Sequence, residues 1–345
     1  MRHISTRKEV RIIMRKIFLA LLLVAAICSV SSANEIQPWN LNERITSELK
    51  QNFMVLPEIT ITAETLNAAQ ELFIVKPEDL PKDEAVEVYD EMISSQLRVR
   101  IYAPKSREEG TKLPALLWIH GGGHILGTPE QDEALLLKIV KRANCIVVAP
   151  DYRLAPKFPY PADLDDCMEA LKWLVEKLPV NREKVAVAGQ SAGGGLTAAL
   201  ALRVRDEKGP ALCFQMPLYP MLDYRTTTTS ANQIIDQRVW NRDFNITAWE
   251  MYLGTKNPEN VSQYASSATA EDLSNLPPAY IMVGSLDPFR DEDITYAQRL
   301  LQAGVPVELH VIPGVFHGFE AYFPDSDIGT KVQDEYINAL AKALK

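Results

Sequence analysis

The chain has 345 residues, of which 47% are hydrophobic and 23% are charged, and no long low-complexity segment interrupts it. This composition supports a large folded core and excludes general disorder. The net charge of −9 at pH 7 offers no electrostatic basis for binding nucleic acid or an anionic membrane.

The first predicted element is a signal peptide over residues 1–33. Met14-Arg-Lys16 is a short basic segment, Ile17–Val30 is an almost unbroken apolar run, and Ser31-Ser-Ala33 supplies the small residues that a signal peptidase recognises. The apolar run is short for a membrane span, and a retained anchor is the alternative. Cleavage after about Ala33 predicts a secreted or periplasmic protein without stable membrane association. Its 30 basic and 44 acidic side chains give a net charge of −14.

Three cysteines remain after this segment, namely Cys145, Cys167 and Cys213. An odd number excludes a fully paired set within one chain. Neither a CxxC pair nor a metal-type cysteine spacing is present, so the sequence predicts no metal site.

Residues 34–80 show helical periodicity around Leu41–Leu56 and Thr62–Phe73, and the rest of the chain alternates short apolar runs with amphipathic ones. The predicted strands are Val86–Tyr89, Leu97–Tyr102, Ala115–His120, Cys145–Ala149, Lys184–Ala188, Cys213–Met216, Ala279–Val283 and Val307–Ile312. The predicted helices are Gln131–Arg142, Ala162–Leu178, Ala192–Asp206, Asp291–Ala303 and Thr330–Leu344. Alternation of this kind predicts an α/β fold with a mostly parallel sheet and helices on both faces.

The region from Tyr224 to Ser267 breaks this alternation and carries four aromatic residues, Trp240, Phe244, Trp249 and Tyr252. An insertion of this kind could cover a site, or its aromatic side chains could pack a small core of their own. The two interpretations are compatible.

The sequence Gly189-Gln-Ser-Ala-Gly193 lies between a predicted strand and a predicted helix. This is the G-x-S-x-G pattern in the setting that a nucleophile elbow requires. The sharp turn forces the serine into a strained conformation, and the flanking glycines avoid collisions that side chains would cause. Ser191 is therefore the candidate nucleophile. Taken alone the motif is weak, because glycine-rich strand–helix turns also bind phosphate.

A glycine loop, Gly121-Gly122-Gly123, follows His120 at the end of the third predicted strand. Consecutive glycines allow backbone N–H groups to point into a cavity. Together with the N–H of Ala192 they would form an oxyanion hole for a tetrahedral intermediate. His120 is expected to brace this loop.

His317 is the candidate base because it follows the last predicted strand in a loop with glycine on both sides. The acid should lie between the serine and the histidine in chain order, and Asp287, after the preceding strand, fits this position. Asp291 is its rival, although it precedes an amphipathic run and is interpreted as a helix N-cap.

These motifs together resemble the hormone-sensitive-lipase-like esterase and lipase family. The residues that carry the resemblance are His120-Gly-Gly-Gly123, Asp151-Tyr-Arg-Leu-Ala-Pro156, Gly189-Gln-Ser-Ala-Gly-Gly194, Asp287-Pro-Phe-Arg-Asp291 and Phe316-His-Gly-Phe319. The resemblance covers roughly residues 113–344 and departs at Gln190, where the family commonly has an acidic residue.

The resemblance implies an α/β-hydrolase fold with a small helical cap, no cofactor, and Ser191, Asp287 and His317 as a catalytic triad. It implies oxyanion amides from Gly122, Gly123 and Ala192. Residues 34–80 and about 222–265 would build the cap, within a catalytic domain of residues 81–345.

The function that follows is hydrolysis of short-chain acyl esters, from acetyl to butyryl or hexanoyl, by a monomer or homodimer whose partner is a small-molecule ester. The alternatives are a carbohydrate acetylesterase, an α/β-hydrolase peptidase and a non-catalytic ligand-binding relative. An intact triad argues against the last alternative.

Overall fold

A computed structural model of the chain describes residues 36–108 and 110–345, and residues Pro38–Lys345 form one compact unit. The predicted signal peptide lies outside the described residues. Across those two described ranges, no helix is long and apolar enough to cross a membrane.

All eight predicted strands are present and form one sheet. They are β1 (Val86–Met92), β2 (Arg98–Pro104), β3 (Leu113–Ile119), β4 (Ile146–Pro150), β5 (Val180–Gln190), β6 (Phe214–Leu218), β7 (Ala279–Leu286) and β8 (Val307–Phe316). Their order is β1-β2-β4-β3-β5-β6-β7-β8, and β2 is antiparallel to both of its neighbours while the other pairs are parallel. The prediction of a mostly parallel sheet is confirmed.

Helices precede the sheet, connect its strands and follow it. They are α1 (Leu41–Arg44), α2 (Lys50–Met54), α3 (Leu66–Leu72), α4 (Glu133–Ala143), α5 (Ala162–Lys177), α6 (Ala192–Glu207), α7 (Thr229–Gln233), α8 (Arg242–Leu253), α9 (Arg290–Gln302), α10 (Phe319–Tyr322) and α11 (Asp327–Ala343). Short 3₁₀ turns lie at Pro77–Asp79, Pro129–Asp132 and Ser267–Thr269. The five helices predicted after residue 81 correspond to α4, α5, α6, α9 and α11.

Both faces of the sheet are buried, as β3 illustrates. Leu116 and Trp118 point to the face covered by α4 and α11, whereas Ala115, Leu117 and Ile119 point to the face covered by α5 and α6. Successive side chains of a strand point to opposite faces. A strand that is apolar at every position must therefore be covered on both sides.

The last strand is longer than predicted, ending at Phe316 instead of Ile312. The extension contains two extra residues of β8 opposite the Gly284–Leu286 step of β7, and beyond this irregularity Leu286 pairs with Phe316. The backbone N–H of Gly314 donates to Ser285 Oγ at 2.8 Å. The candidate base therefore lies directly at the end of a paired strand, where its position is well defined.

The N-terminal segment divides into two parts with different neighbours. Helices α1 and α2 pack on the main core, where Phe53 lies 5.4 Å from Phe316 between ring centroids. Further along, Ile61 and Leu66 join Phe244 of α8 in a second cluster above the glycine loop. The helical periodicity around 41–56 corresponds to two short helices, and between them the N–H of Thr46 donates to the carbonyl of Gly314 at 2.8 Å.

Candidate active site

Ser191 lies in the turn between β5 and α6, with φ 58° and ψ −121°, a backbone conformation that non-glycine residues rarely adopt. Its N–H donates to the carbonyl of Leu218 at 2.9 Å, which fixes the turn against β6. A side chain at Gly193 would collide with the carbonyl oxygens of Ile119 and His120. The close approach of α6 to the end of β3 thus requires glycine at this position.

The structure brings the three predicted triad residues together. His317 Nε2 lies 2.8 Å from Ser191 Oγ, and His317 Nδ1 lies 2.8 Å from Asp287 Oδ2. Ser191 and His317 are each 7% exposed and Asp287 is fully buried. The nucleophile, base and acid candidates therefore form one continuous chain of hydrogen bonds that is nearly closed to solvent.

Asp287 is held by the loop after β7, because its Oδ1 accepts a hydrogen bond from the N–H of Phe289 at 2.9 Å. Its rival is placed elsewhere: Asp291 Oδ2 accepts from the N–H of Ser230 at 2.7 Å, in the first turn of α7. The prediction that Asp291 caps its own helix is wrong, since it lies inside the first turn of α9 and Phe289 occupies the cap position. The aspartate instead connects α9 to α7.

Aromatic side chains surround the imidazole of His317. Tyr219 and Phe289 meet it edge-on at 4.9 and 5.0 Å between ring centroids, and Trp240 lies at 6.3 Å. This packing restricts the orientation of the imidazole ring.

The glycine loop lies next to the serine because Ile119 of β3 pairs with Gly189 of β5. Gly121 and Gly122 line the same cavity as Ser191, while Gly123 packs against the indole of Trp240. In the described part of the chain, the N–H groups of Gly122, Gly123 and Ala192 have no hydrogen-bond acceptor. Three amides next to the nucleophile are thus available to a ligand.

The two histidines flanking this loop have other contacts. His120 Nδ1 is 2.8 Å from the carbonyl of Gly121, and its ring stacks on Tyr152 at 4.1 Å. Burial lowers the pKa of His120 to about 4, which keeps the ring neutral. His124 Nδ1 pairs with Asp163 Oδ2 at 2.7 Å and its ring stacks on Tyr252. Both contacts hold the loop in place, as expected for His120.

The cavity above the serine has a volume of about 730 Å³. Its walls are mostly apolar and come from the N-terminal segment, the glycine loop and the 222–265 insertion. Glu71 is the one charged carboxylate on its rim within the described residues. The apolar residues lining it include Ile59, Ile61, Phe73, Leu126, Trp240 and Phe244. The insertion thus serves both functions considered for it: Trp240 and Phe244 line the site, while Trp249 and Tyr252 are buried in a local core.

Sequence reasoning missed Tyr219 and Glu320. Tyr219 follows β6, and its hydroxyl lies between Gln190 and Glu320. The one available signal was Gln190, which departs from the residue type common in the family. In the two described ranges there is no cluster of three or more residues that could hold a metal ion, and the three cysteines there are free thiols.

Known proteins resemble this chain in both sequence and fold. A family model described as alpha/beta hydrolase fold matches residues 116–321. Esterase LipI of Mycobacterium tuberculosis is 34% identical over 248 residues, which are 71% of this chain and 78% of that protein. Ethyl acetate hydrolase of Pseudomonas putida is 32% identical over 229 residues, 65% of this chain and 71% of that protein. The solved structure of a bacterial heroin esterase has a TM-score of 0.81 at 33% identity, covering 89% of this chain and 100% of that one.

The chain therefore belongs to the α/β-hydrolase family of hormone-sensitive-lipase-like esterases. The predicted fold class and the family resemblance are confirmed. Because the two relatives and the solved structure named above are ester hydrolases, the chain is a carboxylic ester hydrolase.

Proposed function

We propose that the protein hydrolyses short-chain acyl esters through a Ser191–His317–Asp287 triad and an acyl-enzyme intermediate. The observation that supports this most directly is the buried hydrogen-bond chain, in which both nitrogens of His317 lie 2.8 Å from their partners. Geometry of this kind allows a histidine to accept a proton from a serine while an aspartate holds the required tautomer.

In the proposed acylation step, Ser191 Oγ attacks the ester carbonyl carbon as its proton passes to His317 Nε2. The carbonyl oxygen becomes an oxyanion held by the free amides of the glycine loop and of Ala192. These amides are preorganised, so no reorientation is needed as the charge develops. His317 then donates its proton to the leaving alcohol, and the C–O bond of the ester breaks.

Deacylation repeats these steps with water as the nucleophile. His317 removes a proton from water, which attacks the acyl carbon, and the same amides hold the second oxyanion. Collapse of this intermediate returns the proton to Ser191 and releases the carboxylic acid. Asp287 stabilises the imidazolium in both half-reactions and keeps its own negative charge.

The cavity favours a neutral, apolar ester over a sugar. Carbohydrate hydroxyls need many polar partners, whereas the walls here are mostly aliphatic and aromatic. A preference for short acyl groups is supported by the relative named for ethyl acetate, an acetyl ester. The volume of about 730 Å³ leaves room for a large alcohol group.

The test is hydrolysis of p-nitrophenyl esters from acetate to laurate by the chain beginning at residue 34, with Ser191→Ala as the matched control. We expect turnover that disappears in the variant and decreases with acyl length. Turnover that rises toward laurate would contradict the short-chain proposal. No ester turnover by the folded protein would contradict the function.

We also propose that residues 1–33 direct the protein out of the cytoplasm. The support is the basic segment, apolar run and small-residue flank in the sequence. Expression of the full chain followed by N-terminal sequencing of the exported protein tests this. A mature protein that begins near Asn34 is expected, and an uncleaved protein retained in the cytoplasm would overturn the proposal.

A further inference from the structure

A buried chain of polar side chains runs behind the candidate nucleophile. Gln190 Nε2 lies 2.6 Å from Asp132 Oδ1, and Gln190 Oε1 lies 2.9 Å from the hydroxyl of Tyr219. The same hydroxyl lies 2.6 Å from Glu320 Oε1. All four side chains are at most 7% exposed. These hydrogen bonds therefore join Gln190, the residue before the candidate nucleophile, to the short helix α10 that follows His317.

Of the two carboxyl groups in this hydrogen-bonded row, that of Asp132 has a partner for each oxygen and that of Glu320 does not. Asp132 accepts from Gln190 and, through Oδ2, from Trp118 Nε1 at 2.7 Å. Glu320 Oε2 is buried without a partner. A buried carboxylate with an unpaired oxygen is costly, whereas a carboxylate that accepts two N–H bonds is stabilised. One proton held by the two carboxyl groups together therefore offsets part of this cost.

Counting hydrogens leads to the same result. The single hydroxyl proton of Tyr219 cannot serve both neighbouring oxygens. If it goes to Gln190, whose amide N–H₂ is directed to Asp132, then Glu320 must donate to Tyr219. Reversing every donor, with the amide turned over, places the proton on Asp132 instead. Both arrangements need one proton on the two carboxyl groups together.

This row of hydrogen-bonded side chains lies next to both Ser191 and His317. Gln190 immediately precedes Ser191, and Glu320 follows His317 by three residues. Tyr219 meets the ring of His317 edge-on at 4.9 Å between ring centroids. The 2.8 Å distance between serine and histidine thus depends on two loops that this chain connects.

We propose that Tyr219 and Glu320 are positioning residues which hold the serine and histidine loops together through a single shared proton. This inference rests on the proposed function, because it assigns a role only if Ser191 and His317 react. Tyr219 and Glu320 act through the triad residues and take no part in bond breaking.

The burial of both carboxyl groups favours the shared proton. Burial raises the pKa of Asp132 to about 7 and raises the pKa of Glu320 above its usual value. The titratable groups that face Glu320 are Tyr219, His317 and Asp287, together with Tyr336 of α11. Lys138 of α4 lines the same small cavity as the two carboxyl groups, but its ammonium group bonds to Gln333 at 2.9 Å. Loss of the proton would place two buried carboxylates close to each other.

The first experiment compares Tyr219→Phe with Tyr336→Phe. Both remove a buried hydroxyl beside Glu320, but the hydroxyl of Tyr336 has no hydrogen-bond partner. We expect Tyr219→Phe to lower kcat by about tenfold with KM changed less than about twofold, since one hydrogen bond is lost and the ring remains. Tyr336→Phe should leave both unchanged. Equal effects of the two substitutions, or none from the first, would overturn the proposal.

The second experiment uses Glu320→Gln and Glu320→Leu. A glutamine amide donates to Tyr219 as the protonated carboxyl does, so Glu320→Gln should retain kcat within about twofold near neutral pH. Its kcat should not decrease at alkaline pH, where wild type loses the shared proton. Glu320→Leu should lose as much as Tyr219→Phe. A glutamine variant as impaired as the leucine variant, or with the wild-type alkaline decrease, would overturn the proposal.

Failure of this proposal is distinguishable from failure of the proposed function. If wild type cleaves esters and Ser191→Ala does not, the triad stands whatever Tyr219→Phe does. Thermal melting of each variant separates a change in kcat from a loss of folded protein.

Discussion

In the proposed mechanism Ser191 and His317 contribute to the same proton transfer, so removing either one should stop it. We expect Ser191→Ala and His317→Ala each to lower kcat by about 10³-fold or more, and the double variant to lose little beyond either. A double-mutant cycle on p-nitrophenyl acetate measures this. Multiplicative losses would show that the two residues act independently and would contradict the triad.

The two candidate acids have separate roles that substitution can distinguish. Asp287→Asn should lower kcat by about 10³-fold or more with little change in stability, because the amide favours the wrong tautomer of His317. Asp291→Asn should retain kcat and lower stability by about 1 kcal/mol, since its carboxylate serves the N–H of Ser230 in α7. Kinetics and urea unfolding of both variants test this. A larger kcat loss at Asp291 would reverse the assignment.

At the scale of single residues, the sequence was sufficient to predict that Ser191, Asp287 and His317 lie together, because each occupies a short motif and their order along the chain follows that of α/β-hydrolases. Tyr219 and Glu320 could not be predicted. Their hydrogen bonds join residues 101 positions apart in the chain, and neither lies in a motif that requires its residue type.

At the scale of elements, the strands were predictable because runs of Val, Ile and Leu buried on both faces have few other interpretations. Details that depend on tertiary hydrogen bonds were not. β8 continues past Pro313 with two extra residues opposite β7, and the helical periodicity around 41–56 is broken where Thr46 bonds to Gly314. Neither partner is close in sequence.

Helix α3 forms part of the cavity wall, which makes it a determinant of substrate size. Ala69 lines the cavity, whereas the neighbouring Asn67 is exposed and does not. We expect Ala69→Phe to raise KM several-fold for naphthyl acetate and to leave ethyl acetate unaffected, because the added ring occupies space that only the larger ester uses. Asn67→Phe is the control. Equal KM changes for the two esters would argue that α3 does not contact the alcohol group of the bound ester.

For the whole molecule, burial of Asp132 couples stability to pH in a direction opposite to that of an ordinary surface ion pair. In the folded protein its pKa is raised from 3.8 to about 7, so between these values the native state binds more protons than the unfolded state. The free energy of unfolding therefore decreases as the pH rises through this window, and this contribution levels off above it.

Replacement of this carboxyl removes its titration. We expect the unfolding free energy of Asp132→Asn, relative to wild type, to rise steadily from about pH 4 to about pH 7 and then stay constant. Asp272→Asn is the control, since hydrogen bonds with Ser274 lower the pKa of that exposed carboxyl, so the unfolding free energy of this variant relative to wild type should fall, not rise, at the acidic end of the range. Urea unfolding across the range measures both differences. A constant difference for Asp132→Asn would mean that the buried carboxyl is ionised throughout, with its two N–H donors compensating fully for the loss of water.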